Sequence, residues 1–72
     1  MAALQWLHVV ARVLTGVEPD AAARDRLYDR IHGLTAYRQT REFLLRGGSE
    51  QAAEQALREL LDRLGIGPAA RH

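Results

Sequence analysis

The sequence predicts an all-α fold, a small bundle of three or four short helices. Apolar residues recur at helical spacing in each long segment, and glycines and prolines interrupt that spacing. Strand-like alternation of apolar and polar residues does not extend over any useful length. Seventy-two residues make one domain, near the lower size limit for a self-sufficient core. We therefore predict a single helical domain over residues 1–66 and a flexible tail over residues 67–72.

The first predicted helix covers residues 2–15 and is apolar around most of its circumference. Its polar residues form one narrow stripe, at Gln5, His8, Arg12 and Thr15. At about 100° per residue, this stripe covers roughly a quarter of the helix surface. An outer helix of a small domain needs an apolar face little wider than 100°. The surplus apolar surface predicts a contact with another chain or protein, and Gly16 is expected to end the helix.

We expect different sides of this helix to pack inside the chain and against a partner. The predicted core consists of Leu7, Val10, Leu14, Leu27, Ile31, Leu57, Leu60, Leu61 and Leu64. The predicted interface consists of Trp6, Val9, Val10 and Val13. Val10 lies at the border and is assigned to both sets. Tryptophan anchors protein contacts well because it can bury a large area in a desolvated pocket, so Trp6 is the predicted anchor.

The second predicted helix covers residues 19–32. Pro19 suits the first helical position, where the missing N–H has no partner to lose, and Asp20 complements the positive end of the helix dipole. Apolar residues then recur at helical spacing, at Ala23, Leu27, Ile31 and Leu34. This spacing predicts one buried face along the helix.

A break or kink is predicted at residues 33–35. If one helix ran unbroken from 19 to 46, Arg38 and Arg41 would lie inside its apolar stripe. A left-handed stop at Gly33 removes this conflict. The alternative is one long helix that contacts different neighbours along its length.

The third and fourth predicted helices cover residues 35–46 and 50–64. Two consecutive glycines end the third helix, and Ser49 is a good N-cap for the fourth. The fourth has the clearest apolar face, formed by Ala53, Ala56, Leu57, Leu60, Leu61 and Leu64. Gly65 is expected to end this helix, and Ile66 to fold back on its last turn.

Composition excludes several ways of stabilising so small a chain. Cysteine is absent, which rules out disulfides and thiolate metal sites. The three histidines are too far apart in sequence to form a ligand pair on one helical turn. No catalytic residue, metal site or cofactor is therefore predicted. Small domains without such supplements commonly oligomerise, so a homo-oligomer, with a dimer favoured, or a protein partner is expected.

The charge balance predicts no strong electrostatic partner. Ten arginines face nine acidic residues, lysine is absent, and the net charge is +1. Arginine and alanine in place of lysine and asparagine are typical of a GC-rich bacterial genome. The apolar N-terminal run lacks a basic start, is interrupted by polar residues and is shorter than the roughly 20 residues that cross a bilayer. We expect a cytoplasmic protein that does not enter a membrane.

One segment has residue types that could bind nucleic acid. Arg38, Gln39 and Arg41 lie on a predicted helix, and these side-chain types contact base edges in the major groove. The preceding helix and short turn could complete a helix-turn-helix pair. The span from Arg24 to Arg46 has six arginines against three acidic residues. This excess is small for a duplex binder, and a solvated helix face explains the same residues.

Three other patterns have plain structural explanations. His8 and Arg12 could hold an anion, but they also suit the solvated edge of an apolar helix. His32 could act as a general base, but no nucleophile stands at a fixed spacing from it and helix capping accounts for it. The segment 46–49 resembles an anion cradle, but the P-loop spacing and lysine are missing, and a helix stop followed by a cap explains it.

Taken together, these patterns predict a non-enzymatic helical interaction module that uses its first helix as interface. It would self-associate or serve as an accessory subunit of a larger complex. The alternative function is a small dimeric DNA-binding regulator of helix-turn-helix type. A third hypothesis is a component of an enzyme whose chemistry lies on a second polypeptide.

Overall fold

The computed structural model describes residues 2–66, which form four α-helices joined by short connections. The helices are α1 (Ala2–Val17), α2 (Ala21–Ile31), α3 (Thr35–Leu45) and α4 (Glu50–Arg63). The predicted all-α bundle and the predicted break in its middle segment are confirmed. The predicted tail, residues 67–72, lies outside the described residues.

Helix α1 is longer than predicted, because Gly16 does not end it. The helix continues to Val17, and the Glu18 amide still donates to the Leu14 carbonyl at 2.7 Å. Proline has no N–H and disfavours helical backbone at the residue before it. The helix therefore ends before Pro19, and Gly16 lies within its last turn.

Side-chain caps define the start of two helices. Asp20 accepts a hydrogen bond from the Ala23 amide at 3.0 Å, which makes it the N-cap of α2. The prediction that Pro19 occupies the first helical position is wrong, because the cap places it outside the helix. Ser49 caps α4 as predicted, and its hydroxyl accepts from the Ala52 amide at 3.3 Å. Each cap satisfies one amide that the helix leaves without a partner.

The break between α2 and α3 forms without a left-handed residue. The glycines with positive φ in the described chain are Gly47 and Gly65, so the predicted left-handed stop at Gly33 is wrong. The Leu34 amide donates to the Ile31 carbonyl at 2.9 Å in a tight turn. Leu34 itself is extended, with φ −73° and ψ 142°, and this residue redirects the chain into α3.

Helices α3 and α4 both end at a glycine in the left-handed region. Gly47 has a φ of 96° and Gly65 a φ of 73°, values that other residues adopt only at a cost. After Gly65, the Ile66 amide donates back to the Leu61 carbonyl at 2.9 Å. Ile66 is partly buried against the core. The predicted return of Ile66 onto the last turn is confirmed.

The core lies around α1, which packs against all three other helices. Its buried residues are Trp6, Val9, Val10, Val13, Leu14, Leu27, Ile31, Tyr37, Leu44, Ala53, Leu57, Leu60 and Leu61. Most of the predicted core is therefore confirmed. Leu7 and Leu64 are the exceptions, because both are more than two fifths exposed. Three surrounding helices are enough to cover an apolar face much wider than 100°.

Candidate interaction surface

The four residues predicted as the interface lie inside the protomer. Trp6, Val9, Val10 and Val13 are each at most 5% exposed. Their assignment to an outer surface is wrong for Trp6, Val9 and Val13, while Val10 occupies its alternative place in the core. The physical reason is that α1 is the central helix, so neighbouring helices cover the side that would otherwise face a partner.

The exposed apolar side of α1 includes Leu7, which the sequence pattern assigns to the core. Its members, which we call the outer strip, are Ala3, Leu4, Leu7 and Ala11. Leu4 is 56% exposed and Leu7 is 54% exposed, and they lie one helical turn apart. Helical periodicity gives the width of the apolar surface but not which part the neighbouring helices cover. Helix α1 therefore does expose apolar surface, but on the side of Leu4 and Leu7 instead of the predicted side of Trp6, Val9 and Val13.

A groove opens beside the outer strip, between α1, α2 and α3. It is lined by Ala3, Trp6, Leu7, Tyr28, Tyr37, Arg41 and Leu45 and has a volume of about 210 Å³. Pockets for drug-sized ligands and cofactors are larger, commonly about 300–1,000 Å³. The groove is therefore suited to one or two protruding side chains.

Aromatic residues hold the groove together. The Trp6 indole N–H donates to the Tyr37 hydroxyl at 3.1 Å, and the two rings meet edge to face at 5.3 Å. Tyr28 meets Tyr37 edge to face at 6.0 Å and stacks on His32 at 5.1 Å. Such contacts fix ring orientation. The His32 ring is therefore part of this aromatic cluster, and nothing in the cluster supports a role for it as a general base.

Burial of Tyr37 predicts a stability change at alkaline pH. Burial is the main cause that raises the pKa of Tyr37 to about 12, and the bond from Trp6 partly opposes it. Between its unfolded-state pKa of about 10 and pH 12, the folded chain retains a proton that the unfolded chain loses. The contribution of Tyr37 to stability is therefore complete below pH 10 and is lost as the pH rises towards 12.

Urea denaturation followed by circular dichroism, from about pH 8 to about pH 11, measures this effect. We expect the free energy of unfolding to fall less steeply with pH in Tyr37→Phe than in the natural chain. The two proteins differ only in the Tyr37 hydroxyl, so groups that do not contact it contribute equally to both profiles. Parallel pH profiles would contradict this assignment.

The polar stripe of α1 contacts α4. Gln5 donates to Glu50 at 3.0 Å, Arg12 donates to Glu54 at 3.0 Å, and Arg12 also pairs with Glu50. The bonds from Gln5 and then Arg12 lower the pKa of Glu50. Because two carboxylates already hold the Arg12 guanidinium, an anion site formed with His8 is not supported. Exposed ion pairs add little stability, so their main effect is to align α1 with α4.

The candidate nucleic-acid residues are all exposed on α3 but do not share one face. Arg41 lines the groove, whereas Gln39 lines a separate depression on the α4 side of the helix. Glu42 lies between them and forms an ion pair with Arg46 at 3.3 Å. Arg38 lies on the Arg41 side, at a spacing of three residues. A carboxylate within this surface would repel phosphate, so the structure does not bring these residues together as a reading face.

Two further findings concern the part of the chain that the structure describes. Within residues 2–66, no group of three His, Cys, Asp or Glu side chains is placed to bind a metal ion. None of the described helices combines the length and the apolar character that crossing a bilayer requires. Comparisons with protein-family models, with curated proteins and with solved structures found no match.

Proposed function

We propose that this chain is a non-enzymatic helical interaction module that acts by association through the outer strip of α1. The observation that supports the proposal is the pair of leucines, Leu4 and Leu7, each more than half exposed on adjacent turns of one helix. Isolated apolar side chains on a surface are ordinary, but adjacent ones flanking an apolar groove indicate a contact site. The expected compartment is the cytoplasm.

The occupant of the outer strip is a second copy of this chain or, where the chain is an accessory subunit, a larger protein. A symmetric dimer is the simpler arrangement, because two α1 helices crossing at their outer strips bury the same surface twice. At about 25 cal/mol per Å², an apolar contact of a few hundred Å² contributes several kcal/mol. That is a large share of the stability of a domain this small.

Sedimentation equilibrium of the purified chain tests self-association. We expect a mass above that of the protomer at about 100 µM, and a protomer mass for the double variant Leu4→Glu/Leu7→Glu. Circular dichroism should show unchanged helix content, because both side chains are exposed.

The matched control is Leu64→Glu, a change at an exposed leucine just after α4. This variant should retain the mass of the natural chain. A natural chain that remains a folded protomer at high micromolar concentration would contradict self-association. A double variant with unchanged mass would contradict the assignment of the interface to the outer strip.

A further inference from the structure

We propose that the groove between α1, α2 and α3 binds an apolar side chain carried on an acidic helix of another protein, with Arg41 holding a carboxylate of that helix. This inference rests on the proposed function, that the chain acts by association, and it specifies the chemistry of a partner.

The size and lining of the groove fit a single anchoring side chain. Its volume of about 210 Å³ accommodates a leucine or phenylalanine side chain with room to spare. Trp6 and Tyr37, joined by a buried hydrogen bond, form a preorganised base. Leu7 and Leu45 are exposed walls that an apolar side chain would cover. Helical partners commonly bind in this manner, with apolar anchors set into a groove.

The charge at the rim selects an acidic partner. Arg41 forms no ion pair within residues 2–66, in contrast to Arg12, Arg46 and Arg58. The residues that line the groove include no carboxylate. Arg38, three residues before Arg41, adds a second positive charge on the same side of α3. Opposite charge across an interface favours the correct partner and excludes wrong ones.

In the symmetric dimer considered above, the helix that meets the outer strip offers Arg41 no carboxylate. Helix α1, from Ala2 to Val17, contains no aspartate or glutamate. Two α1 helices that cross at their outer strips therefore bring no α1 carboxylate to Arg41. An acidic helix of a different protein supplies what the groove lacks.

A displayed peptide library tests the inference. The probe is a set of helical segments, each with a central leucine or phenylalanine and with the positions three and four residues to either side randomised. Selection on the natural chain should enrich Asp and Glu over Lys and Arg at these positions by at least about tenfold. Selection on Arg41→Glu should reverse the preference, and selection on Arg41→Gln should weaken it, because Arg38 remains.

The matched control is Arg26→Glu, which makes the same change in net charge at an exposed residue of α2 outside the groove. It should enrich the same acidic segments as the natural chain. An enriched segment should also shift the indole N–H resonance of Trp6, the single tryptophan of the chain, which bonds to Tyr37. Circular dichroism confirms that each variant is folded.

Three results would overturn the inference: no enrichment, enrichment without a charge preference, or a preference that Arg41→Glu leaves unchanged. Enriched segments that match this chain's own helices would identify a second copy as the occupant and also overturn it. If the inference fails while Leu4→Glu/Leu7→Glu still lowers the solution mass, the proposed function stands. If acidic segments bind but the natural chain is a protomer, self-association alone is contradicted.

Discussion

Trp6→Arg is expected to unfold the isolated chain, whereas Leu7→Arg on the same helix is expected to leave it folded. Trp6 is buried and donates to Tyr37, so the change puts a charge into the core and removes a hydrogen bond from a buried hydroxyl. An unpaired buried charge costs several kcal/mol, comparable to the entire stability of a small domain. Leu7 is more than half exposed, and an arginine there keeps its charged group in water.

Far-UV circular dichroism and urea denaturation of both variants check this prediction. We expect loss of most helical signal for Trp6→Arg and a cooperative unfolding transition for Leu7→Arg. If Trp6→Arg retained its helices and only lowered the solution mass, Trp6 would belong to an interface after all. If Leu7→Arg unfolded the chain, the assignment of the outer strip to the surface would be wrong.

Leu57→Ala is expected to give the next largest loss of stability. Leu57 lies on α4 within the core and is 0% exposed. Leucine-to-alanine changes at such sites cost about 2–5 kcal/mol, because they remove apolar contacts and leave a cavity. In a domain of this size, each kcal/mol lowers the melting temperature by about 4–8 °C. The variant should therefore melt at least about 8 °C below the natural chain.

Thermal unfolding followed by circular dichroism measures the difference, with Leu64→Ala as the control. Leu64 is 42% exposed at the end of the same helix, so its truncation should cost less than about 1 kcal/mol. Equal losses in the two variants would show that Leu57 is not at the centre of the core. Self-association must be held constant by comparing both at one protein concentration.

The helical fold class and most helix boundaries could be predicted because their causes are local, while the helix number stayed open at three or four. Asp20 and Ser49 accept bonds from amides three residues later, and Gly65 reverses the chain within a few residues. Such patterns can be recognised in a short stretch of sequence. Two of the local errors, at Gly16 and Gly33, arose where another residue performed the function assigned to glycine. Pro19 determines where α1 ends, and an extended Leu34 forms the turn after α2.

The sequence predicted a broad apolar surface on α1 but not which part of that surface lies exposed. The pattern of α1 correctly indicated more apolar surface than an ordinary outer helix has, and Leu4 and Leu7 are exposed. It also placed Trp6 on the outside, because periodicity describes one helix and contains no information on where three others pack. The groove likewise forms from residues that are far apart in sequence. Arg41 joins Trp6 there across 35 residues of chain, and no local spacing connects them.

Short-range effects were sufficient to specify an all-α chain with a broad apolar first helix. These effects are helix capping, glycine stops and apolar periodicity. The side of α1 that faces water, and the meeting of Trp6, Tyr37 and Arg41 at one groove, depended on the packing of α2, α3 and α4 around it. That packing removes apolar side chains of all four helices from water together. It is a long-range property, so no single segment contains it.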